Sequence, residues 1–480
     1  MPRSTKTDEK GDIRSIKTNL TARLDRIPWN SWHTYIFAIL FAGVILEGFS
    51  ISLGGATLGA LEKQFNLTTF EAVVLTPLYL VGALIGSFLM GTMADYIGRK
   101  KVFIITVTIV IIGSVIVALS FNYGSLVLGR IITAIGAEGE VAVANTALAE
   151  FVPPKKRGLA VASGNATAFD VGTVAASLVA FFAIALLPST IGWRVAFASA
   201  VVLAVVVFIA RLKLPESVRY LIRKNRLKEA EAIVSKAEKN YQAKTHKKLP
   251  PVSAEMLNFS SQKLSAKYGL LFKKYPKRIT LAIILNLTEV WPYYAAFSVI
   301  PVILVKFFKY SSSSVSLSLV YITFAGVIGI IAMSFALDKI GRRKTITASY
   351  GIAAFMFLLI GLIVAHISLV VFIILLAVLY FWVYAAAGVL YPQISEMFPT
   401  EIRSTAVGTA IGIGRLGGII GPIILGIILA AGDTLTAVTI AFVITAVIMF
   451  IGAISEVILG PELNGKSLET ASAEVKGSKL

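Results

Sequence analysis

The sequence contains no cysteine and only three histidines among its 480 residues. Disulfides, thiolate catalysis and zinc–thiolate sites are therefore excluded, and the scattered histidines form no metal constellation. No Walker-type phosphate loop occurs, which argues against ATP-driven chemistry. We therefore expect neither a cofactor nor a metal, and no enzymatic activity. Residues 1–33 also lack the apolar core of a cleaved signal peptide.

Charged residues are scarce, at 15% of the chain, while hydrophobic residues make up 56%. Soluble domains carry about 25% charged residues, so the composition indicates a membrane protein. The net charge of +19 comes from lysines and arginines clustered in the tails, in alternate loops and in one central segment. This clustering follows the positive-inside rule, so the charge reports membrane topology, and we expect no nucleic-acid partner.

Apolar runs of about 20 residues, the length that spans a bilayer as a helix, recur along the chain. They predict an all-α membrane protein with twelve transmembrane helices: 34–60, 70–94, 102–121, 124–150, 158–186, 192–211, 278–305, 313–337, 345–366, 368–394, 403–431 and 433–457. The even count and the basic tails predict that both termini lie on the cytoplasmic side of the cytoplasmic membrane.

The predicted helices divide the chain into five parts. These are a cytoplasmic tail (1–33), an N-terminal six-helix bundle (34–212), a cytoplasmic linker with amphipathic helices (213–277), a C-terminal six-helix bundle (278–458) and a second tail (459–480).

A short turn at residues 91–101 recurs at residues 334–344 with the same spacing of Asp, Gly and three basic residues. Further pairs of landmarks follow in the same order: Glu150 before Pro153 matches Glu396 before Pro399, and Pro215 matches Pro461. Repeats in the same order indicate two parallel six-helix halves. Such repeats imply an alternating-access carrier with its site near the bilayer midplane, between the halves.

These motifs resemble those of the major facilitator superfamily. The paired turns are similar to its G-x-x-x-D-x-x-G-R-[KR]-[KR] loop, and Gly129-Arg130 followed by Gly139-Glu140 resembles its fourth-helix signature. The segment 215–221 resembles the motif after helix six that sugar porters and organic-ion transporters share, and 384–415 is similar to the organic-ion and metabolite:proton symporter branch. The resemblance implies the major facilitator fold and a monomer.

The sequence departs from the sugar porters in two predicted helices. No glutamine pair precedes Tyr293 and Tyr294 in the seventh helix, where Glu289 takes the place of an asparagine. In the first helix the aspartate of proton-coupled members is replaced by Ser50, and Glu47 lies one turn earlier.

Seven charged residues lie well inside the predicted helices, away from their ends: Glu47, Arg130, Glu138, Glu140, Asp170, Glu289 and Arg415. A charge at the bilayer centre costs roughly 2.5–3.5 kcal/mol, so these residues must face the protein interior, paired or hydrated. The opposite signs suggest that Arg130 pairs with Glu47 or Asp170, and that Arg415 pairs with Glu289.

We predict that Glu47 or, as second choice, Asp170 takes the proton, and that Arg130 modulates the pKa of this carboxyl by reversible pairing. Glu140 is a further candidate for proton coupling. Glu138 and Glu140 could instead be structural ion-pair members. The resemblance suggests an anion-binding role for Arg415, whose place carries arginine in anion carriers. The other predicted substrate-binding residues are Asn286, Glu289, Tyr293, Tyr380 and Tyr384.

Charges near the repeated turns are predicted to form a gate that latches the cytoplasmic face. The gating residues are Asp95, Arg99, Glu150 and Arg157, with Asp338, Arg342, Glu396 and Arg403 in the second half. The pattern Gly412-x-Gly414-x-x-Gly417 matches a dinucleotide fingerprint, but it lies inside a predicted membrane helix and indicates close helix packing instead.

The expected function is proton-coupled symport of a small organic anion by alternating access. One alternative is a sugar or polyol porter, working as a proton symporter or a facilitator. A second, from a different class, is a transport-inactive sensor on the same fold.

Overall fold

The computed structural model describes residues 13–252, 255–260, 264–398, 402–432 and 434–461. Twelve long helices occur in these residues. They are α2 (Ser31–Ala56), α4 (Thr69–Ile97), α5 (Arg99–Ala118), α6 (Tyr123–Phe151), α7 (Pro154–Leu186), α8 (Ser189–Leu212), α12 (Pro276–Lys306), α13 (Ser312–Ile340), α14 (Arg342–Ile363), α15 (Leu369–Glu396), α16 (Arg403–Ala431) and α17 (Leu435–Leu459).

Among the described residues, eleven of the twelve helices are long and apolar enough to cross a membrane. The exception is α6, which carries Arg130, Glu138 and Glu140 in its middle. Large apolar side chains such as Phe88, 79% exposed, lie on the outer surface of the bundle. An exposed apolar surface of this kind fits contact with lipid.

Local sequence explains where several of these helices begin and end. Asn30, Thr68 and Asn122 accept backbone hydrogen bonds at the starts of α2, α4 and α6, which satisfies donors that a helix N-terminus leaves free. Between α4 and α5, and again between α13 and α14, Gly98 and Gly341 both adopt φ of 101°. Glycine adopts this conformation without the strain of a Cβ, which makes such a short turn possible.

The first membrane helix is shorter than predicted. The apolar run 34–60 breaks at Thr57, where α2 ends and a separate helix α3 (Leu58–Phe65) begins. Helix α3 extends to residue 65, into the connection 61–69 between the first two predicted helices. Its start is buried, and an added Cβ on Gly59 would lie 2.9 Å from the Ser312 hydroxyl of α13.

The N-terminal segment and the central segment fold together into what we call the linker unit. It comprises β1 (Ile13–Thr18), α1 (Leu20–Asp25), α9 (Val218–Arg223), α10 (Leu227–Thr245) and β2 (Glu255–Ser260). The strands pair antiparallel, with Ile13 opposite Ser260 and Thr18 opposite Glu255. The sequence analysis predicted a tail for residues 1–33 and amphipathic helices for residues 213–277, and it predicted neither strand.

Helix α1 docks on α10 through charge as well as apolar contact. Arg23 and Arg26 both bind the Glu238 carboxylate, at 2.7 and 2.6 Å, while Leu20 and Leu24 enter a small apolar core with α9. Helix α11 (Leu264–Lys274) leads from the linker unit to α12. We call the side of the bundle that carries this unit the linker face.

Candidate functional site

The charged residues predicted to avoid lipid are buried inside the protein. Glu47, Arg130, Glu138, Glu140, Asp170 and Glu289 are all at most 5% exposed, and the Arg415 side chain is 14% exposed. Their helices therefore direct them toward neighbouring helices, as the cost of a charge in hydrocarbon requires.

Arg415 forms an ion pair that joins the two halves. Its Nη2 binds the Glu138 carboxylate, so α16 of one half is linked to α6 of the other. The Glu47 carboxyl lies close enough to Glu138 for the two to repel each other when both are charged. The predicted pairing of Arg415 with Glu289 is wrong, because Arg415 reaches across the interface instead of pairing within its own half.

Arg130 makes different contacts from those predicted. Its guanidinium donates to the carbonyl oxygens of Ser50, at 2.5 Å, and Ile51, at 3.0 Å, and lies 4.4 Å from the centre of the Tyr79 ring. These carbonyls belong to the last two turns of α2, whose C-terminal end carries partial negative charge. Among the described residues no carboxylate pairs with Arg130, so its predicted pairing with Glu47 or Asp170 is wrong.

Glu140 pairs with a residue that the sequence analysis missed. Arg211 of α8 is fully buried and binds the Glu140 carboxylate, which also accepts a hydrogen bond from the Thr106 hydroxyl at 2.7 Å. All three residues lie within the N-terminal half. Arg211 stands two residues before Lys213, so in the sequence it looked like one more basic residue at a cytoplasmic helix end.

A second contact between the halves involves the aromatic residues. The Tyr293 hydroxyl of α12 donates to Asp170 Oδ1 of α7 at 2.8 Å. The Tyr384 ring stacks on Tyr293 with centroids 4.5 Å apart. Tyr380 is also close, with its ring 6.2 Å from that of Tyr384, and its hydroxyl donates to the Pro292 carbonyl at 3.2 Å. The predicted substrate residues of α12 and α15 thus lie together.

Several buried polar atoms around this contact have no hydrogen-bond partner in the described part of the chain. They are Asp170 Oδ2, Glu289 Oε1, the Tyr384 hydroxyl and both amide atoms of Asn286. Glu289 and Asp170 are close enough to repel each other when both are charged. Such unsatisfied groups are rare in folded proteins and often mark a functional site.

The gating residues that the structure describes pair within each half. Arg99 binds Glu150 at 3.2 Å, and Arg342 binds Glu396 at 3.1 Å. The side chains of Asp95, Arg157, Asp338 and Arg403 lie outside the described part of the molecule. Two neighbours join the first pair: Glu216 accepts the Arg99 backbone N–H at 2.9 Å, and the Ser217 hydroxyl donates to Glu150. These two belong to the motif at 215–221, but their role here was not predicted.

The glycine pattern of α16 serves helix packing. An added Cβ would lie 2.3 Å from Asn286 Oδ1 at Gly414 and 2.2 Å from the Leu287 carbonyl at Gly417, so both glycines allow α12 to approach closely. Among the described residues, no group of histidine, aspartate or glutamate side chains could hold a metal ion.

Comparison with known proteins identifies transporters. The niacin transporter NiaP of Acinetobacter baylyi is 27% identical over 456 residues, which cover 94% of this chain and 99% of that protein. The putative niacin/nicotinamide transporter NiaP of Bacillus subtilis is 28% identical over 432 residues, covering 89% and 96%.

The fold matches a solved structure. The partially occluded, inward-open xylose transporter XylE of Escherichia coli superposes with a TM-score of 0.72 at 20% identity, covering 91% of this chain and all of that one. The sequence profile described as Sugar (and other) transporter matches residues 35–474. The chain therefore belongs to the sugar (and other) transporter family of the major facilitator superfamily, and it is a multi-pass membrane transporter of the sugar and metabolite type, not an enzyme.

Proposed function

We propose that the protein is a proton-coupled symporter of a small organic anion. The observation that carries this proposal is the Arg415–Glu138 ion pair between the halves, with the Glu47 carboxyl beside it. Arg415 Nη1 has no partner among the described residues, so the guanidinium has a donor available for a further carboxylate. A guanidinium binds a carboxylate with two parallel hydrogen bonds, which suits an anionic substrate.

Competition for Arg415 would couple the anion to a proton. A substrate carboxylate that binds Arg415 displaces Glu138, whose carboxylate then lies beside Glu47 without its cation. Two carboxylates so close cannot both stay charged, so they take up a proton while the anion is bound. The carrier then crosses with the anion and the proton together. Asp170 remains the second candidate for the proton.

Two of the predicted coupling residues do not enter this mechanism. Arg130 contacts backbone carbonyls, and Glu140 is paired with Arg211 inside one half. Both are better described as residues that hold the N-terminal half together. Asn286, Glu289, Tyr293, Tyr380 and Tyr384 would shape the rest of the substrate site.

Two relatives named for niacin support an aromatic acid as the substrate. Niacin is a planar ring with one carboxylate, and aromatic side chains such as Tyr293 and Tyr384 suit a planar ligand. The family name and the xylose transporter favour a sugar as the second candidate. We further propose a monomer in the cytoplasmic membrane, with both termini in the cytoplasm.

Counterflow in proteoliposomes tests the proposal. Labelled nicotinate, benzoate, xylose, myo-inositol and choline would be compared for the wild type, Arg415→Ala and Arg415→Lys. We expect the wild type to exchange the two acids. Arg415→Ala should raise the KM for the acids on the order of tenfold to a hundredfold. Arg415→Lys should raise it less, because lysine keeps the positive charge but lacks the two parallel N–H donors of the guanidinium. Full acid transport with unchanged KM in Arg415→Ala would refute the anion assignment, and exchange of sugars alone would replace it.

A further inference from the structure

The acidic and aromatic residues between α7, α12 and α15 lie apart from the Arg415–Glu138 pair. Asp170 is 1% exposed and Glu289 is 2% exposed, yet each keeps one carboxylate oxygen without a partner in the described part of the chain. The Tyr384 hydroxyl is also unpartnered. Among the described residues, neither an arginine nor a lysine forms an ion pair with either acid. Buried carboxylates without a cation are costly, and a ligand can supply the missing partner.

The chemistry of the unpartnered atoms indicates what the ligand brings. Carboxylate oxygens only accept hydrogen bonds, so they need an N–H or O–H donor, and a positively charged donor also offsets their charge. The stacked rings of Tyr293 and Tyr384 add aromatic surface, which attracts cations as well as planar rings.

The two groups of residues lie on facing parts of α12 and α16. Consecutive residues of α12 connect them: Tyr293 binds Asp170, while Tyr294 packs against Gly418, one turn beyond Arg415 on α16. An added Cβ on Gly414, next to Arg415, would lie 2.3 Å from Asn286 Oδ1, and Asn286 stands one turn before Glu289 on α12. A ligand held at Arg415 by a carboxylate would therefore have its other end near Asp170 and Glu289.

We propose that Asp170 and Glu289, with Tyr293 and Tyr384, form a second subsite that binds a cationic N–H group of the substrate. The substrate class is then an amphoteric ring compound, with a carboxylate at one end and an amine or protonated nitrogen at the other. Binding of this group competes with the Tyr293–Asp170 hydrogen bond between the halves. This inference rests on the proposed function, because Arg415 must hold the carboxylate.

Three benzoates of similar size test the subsite: benzoate, 3-(hydroxymethyl)benzoate and 3-(aminomethyl)benzoate. The measurement is inhibition of counterflow in proteoliposomes, supported by the ligand-induced shift in melting temperature of the protein in detergent. For the wild type we expect the aminomethyl compound to inhibit at a concentration about tenfold lower than the hydroxymethyl compound, since one charge-assisted hydrogen bond is of that order.

Asp170→Asn and Glu289→Gln remove one charge each and keep the size of the side chain. In each variant, the ratio of the inhibitory concentrations of the hydroxymethyl and aminomethyl compounds should fall close to one. Glu456→Gln is the matched control, because Glu456 is a buried acid that accepts a hydrogen bond from Gln393 within the C-terminal half, and its variant should keep the wild-type ratio. Should one variant fail to fold, the other still gives the ratio.

Equal inhibition by the two substituted compounds in the wild type would overturn the subsite, as would a tenfold ratio that survives in both variants. If benzoate and its derivatives are exchanged but not distinguished, the organic-anion function stands and only the subsite fails. If none of the acids binds, the proposed function fails and the subsite fails with it.

Discussion

The buried charged residues form two kinds of ion pair, and the two kinds differ in what happens when the halves move. Glu140 and Arg211 pair inside one half, so the pair moves with that half and serves its stability. Glu138 and Arg415 pair across the halves, so the pair must break or rearrange when the halves move apart. Under the proposed mechanism, the same chemistry therefore supports stability in one place and transport in the other.

Removing one member of the internal pair should destabilise the protein strongly. Arg211→Met leaves the buried Glu140 carboxylate without its cation, and we expect a loss of about 3–5 kcal/mol in the free energy of unfolding. The double variant Glu140→Gln, Arg211→Met removes both charges and should recover much of this loss. Melting temperatures in detergent check the result. A single variant that melts at the wild-type temperature would show that the pair contributes little.

The sequence could predict which charges are buried, but not their partners. A charge in the middle of an apolar run must avoid lipid whatever the fold, so the burial of Glu47, Asp170 and Glu289 follows from the sequence alone. The partner depends on how helices far apart in the chain are rotated and packed. Arg211 was missed for a related reason, because a basic residue at a helix end normally remains in the aqueous interface.

At the linker face, the linker segment contacts the end of a membrane helix through Glu216. Glu216 places its carboxylate at the N-terminus of α5, where it accepts the Arg99 N–H at 2.9 Å and lies 3.4 Å from the Lys100 N–H. A helix N-terminus carries partial positive charge, so the carboxylate is well placed there. The repeated turn thus holds the linker segment through backbone as well as side-chain contacts.

Truncating Glu216 should weaken this contact. Glu216→Ala should lower the free energy of unfolding by about 1–2 kcal/mol, the usual value of a charged helix cap. The control is Glu229→Ala, since Glu229 pairs with Arg226 on the exposed surface of α10 and exposed pairs contribute at most about 1 kcal/mol. Thermal unfolding of both variants in detergent gives the comparison. If both variants changed the free energy of unfolding equally and negligibly, Glu216 would not cap α5.

Helix α3 carries a pH-sensitive group. Burial raises the pKa of Glu62 to about 7, from an ordinary value of 4.5. Because the folded protein binds this proton more tightly than the unfolded chain, its stabilising effect is complete below the ordinary pKa and is lost as the pH rises through about 7.

Glu62→Gln should therefore remove part of the pH dependence of stability. Between pH 5 and 8 the melting temperature of the wild type should fall relative to that of the variant, and the difference should develop around pH 7. Parallel curves for the two proteins over this range would contradict the burial of the Glu62 carboxyl.

At the scale of the whole molecule, the two halves are packed together on the side opposite the linker face. The Ser316 hydroxyl of α13 donates to the Ala56 carbonyl of α2 at 2.6 Å. At Gly55 an added Cβ would lie 2.2 Å from the Phe297 carbonyl, so α2 and α12 are in direct backbone contact. This side is closed in the structure, and alternating access requires that it open.

A bulky residue at Gly55 should prevent this closure. In Gly55→Leu we expect loss of transport and greater exposure of Ser316, which is buried in the closed arrangement. Because the chain has no cysteine, Ser316→Cys provides a single site for maleimide labelling. The control is Gly351→Leu, where an added Cβ meets no atom within 4 Å. Unchanged labelling in Gly55→Leu would refute the role of this contact.

The twelve helices and the superfamily fold followed from the sequence because apolar length and duplicated turns are local signals. The linker unit did not follow, because β1 and β2 are 237 positions apart at their closest paired residues, Thr18 and Glu255, and neither strand shows a strong local pattern. Their pairing depends on how the tail and the linker meet at the linker face. The break between α2 and α3 at Thr57 could not be predicted either, since the two helices form one continuous apolar run up to Leu61.

We propose above all that movement of an organic anion is coupled to movement of a proton. The most direct measurement is uptake of labelled nicotinate into proteoliposomes with an imposed inward proton gradient, for the wild type and for Glu138→Gln. We expect accumulation above the external concentration in the wild type and collapse of that accumulation on adding a protonophore. Glu138→Gln should only equilibrate the acid, without accumulating it. Uptake that only equilibrates in the wild type and ignores the gradient would contradict it.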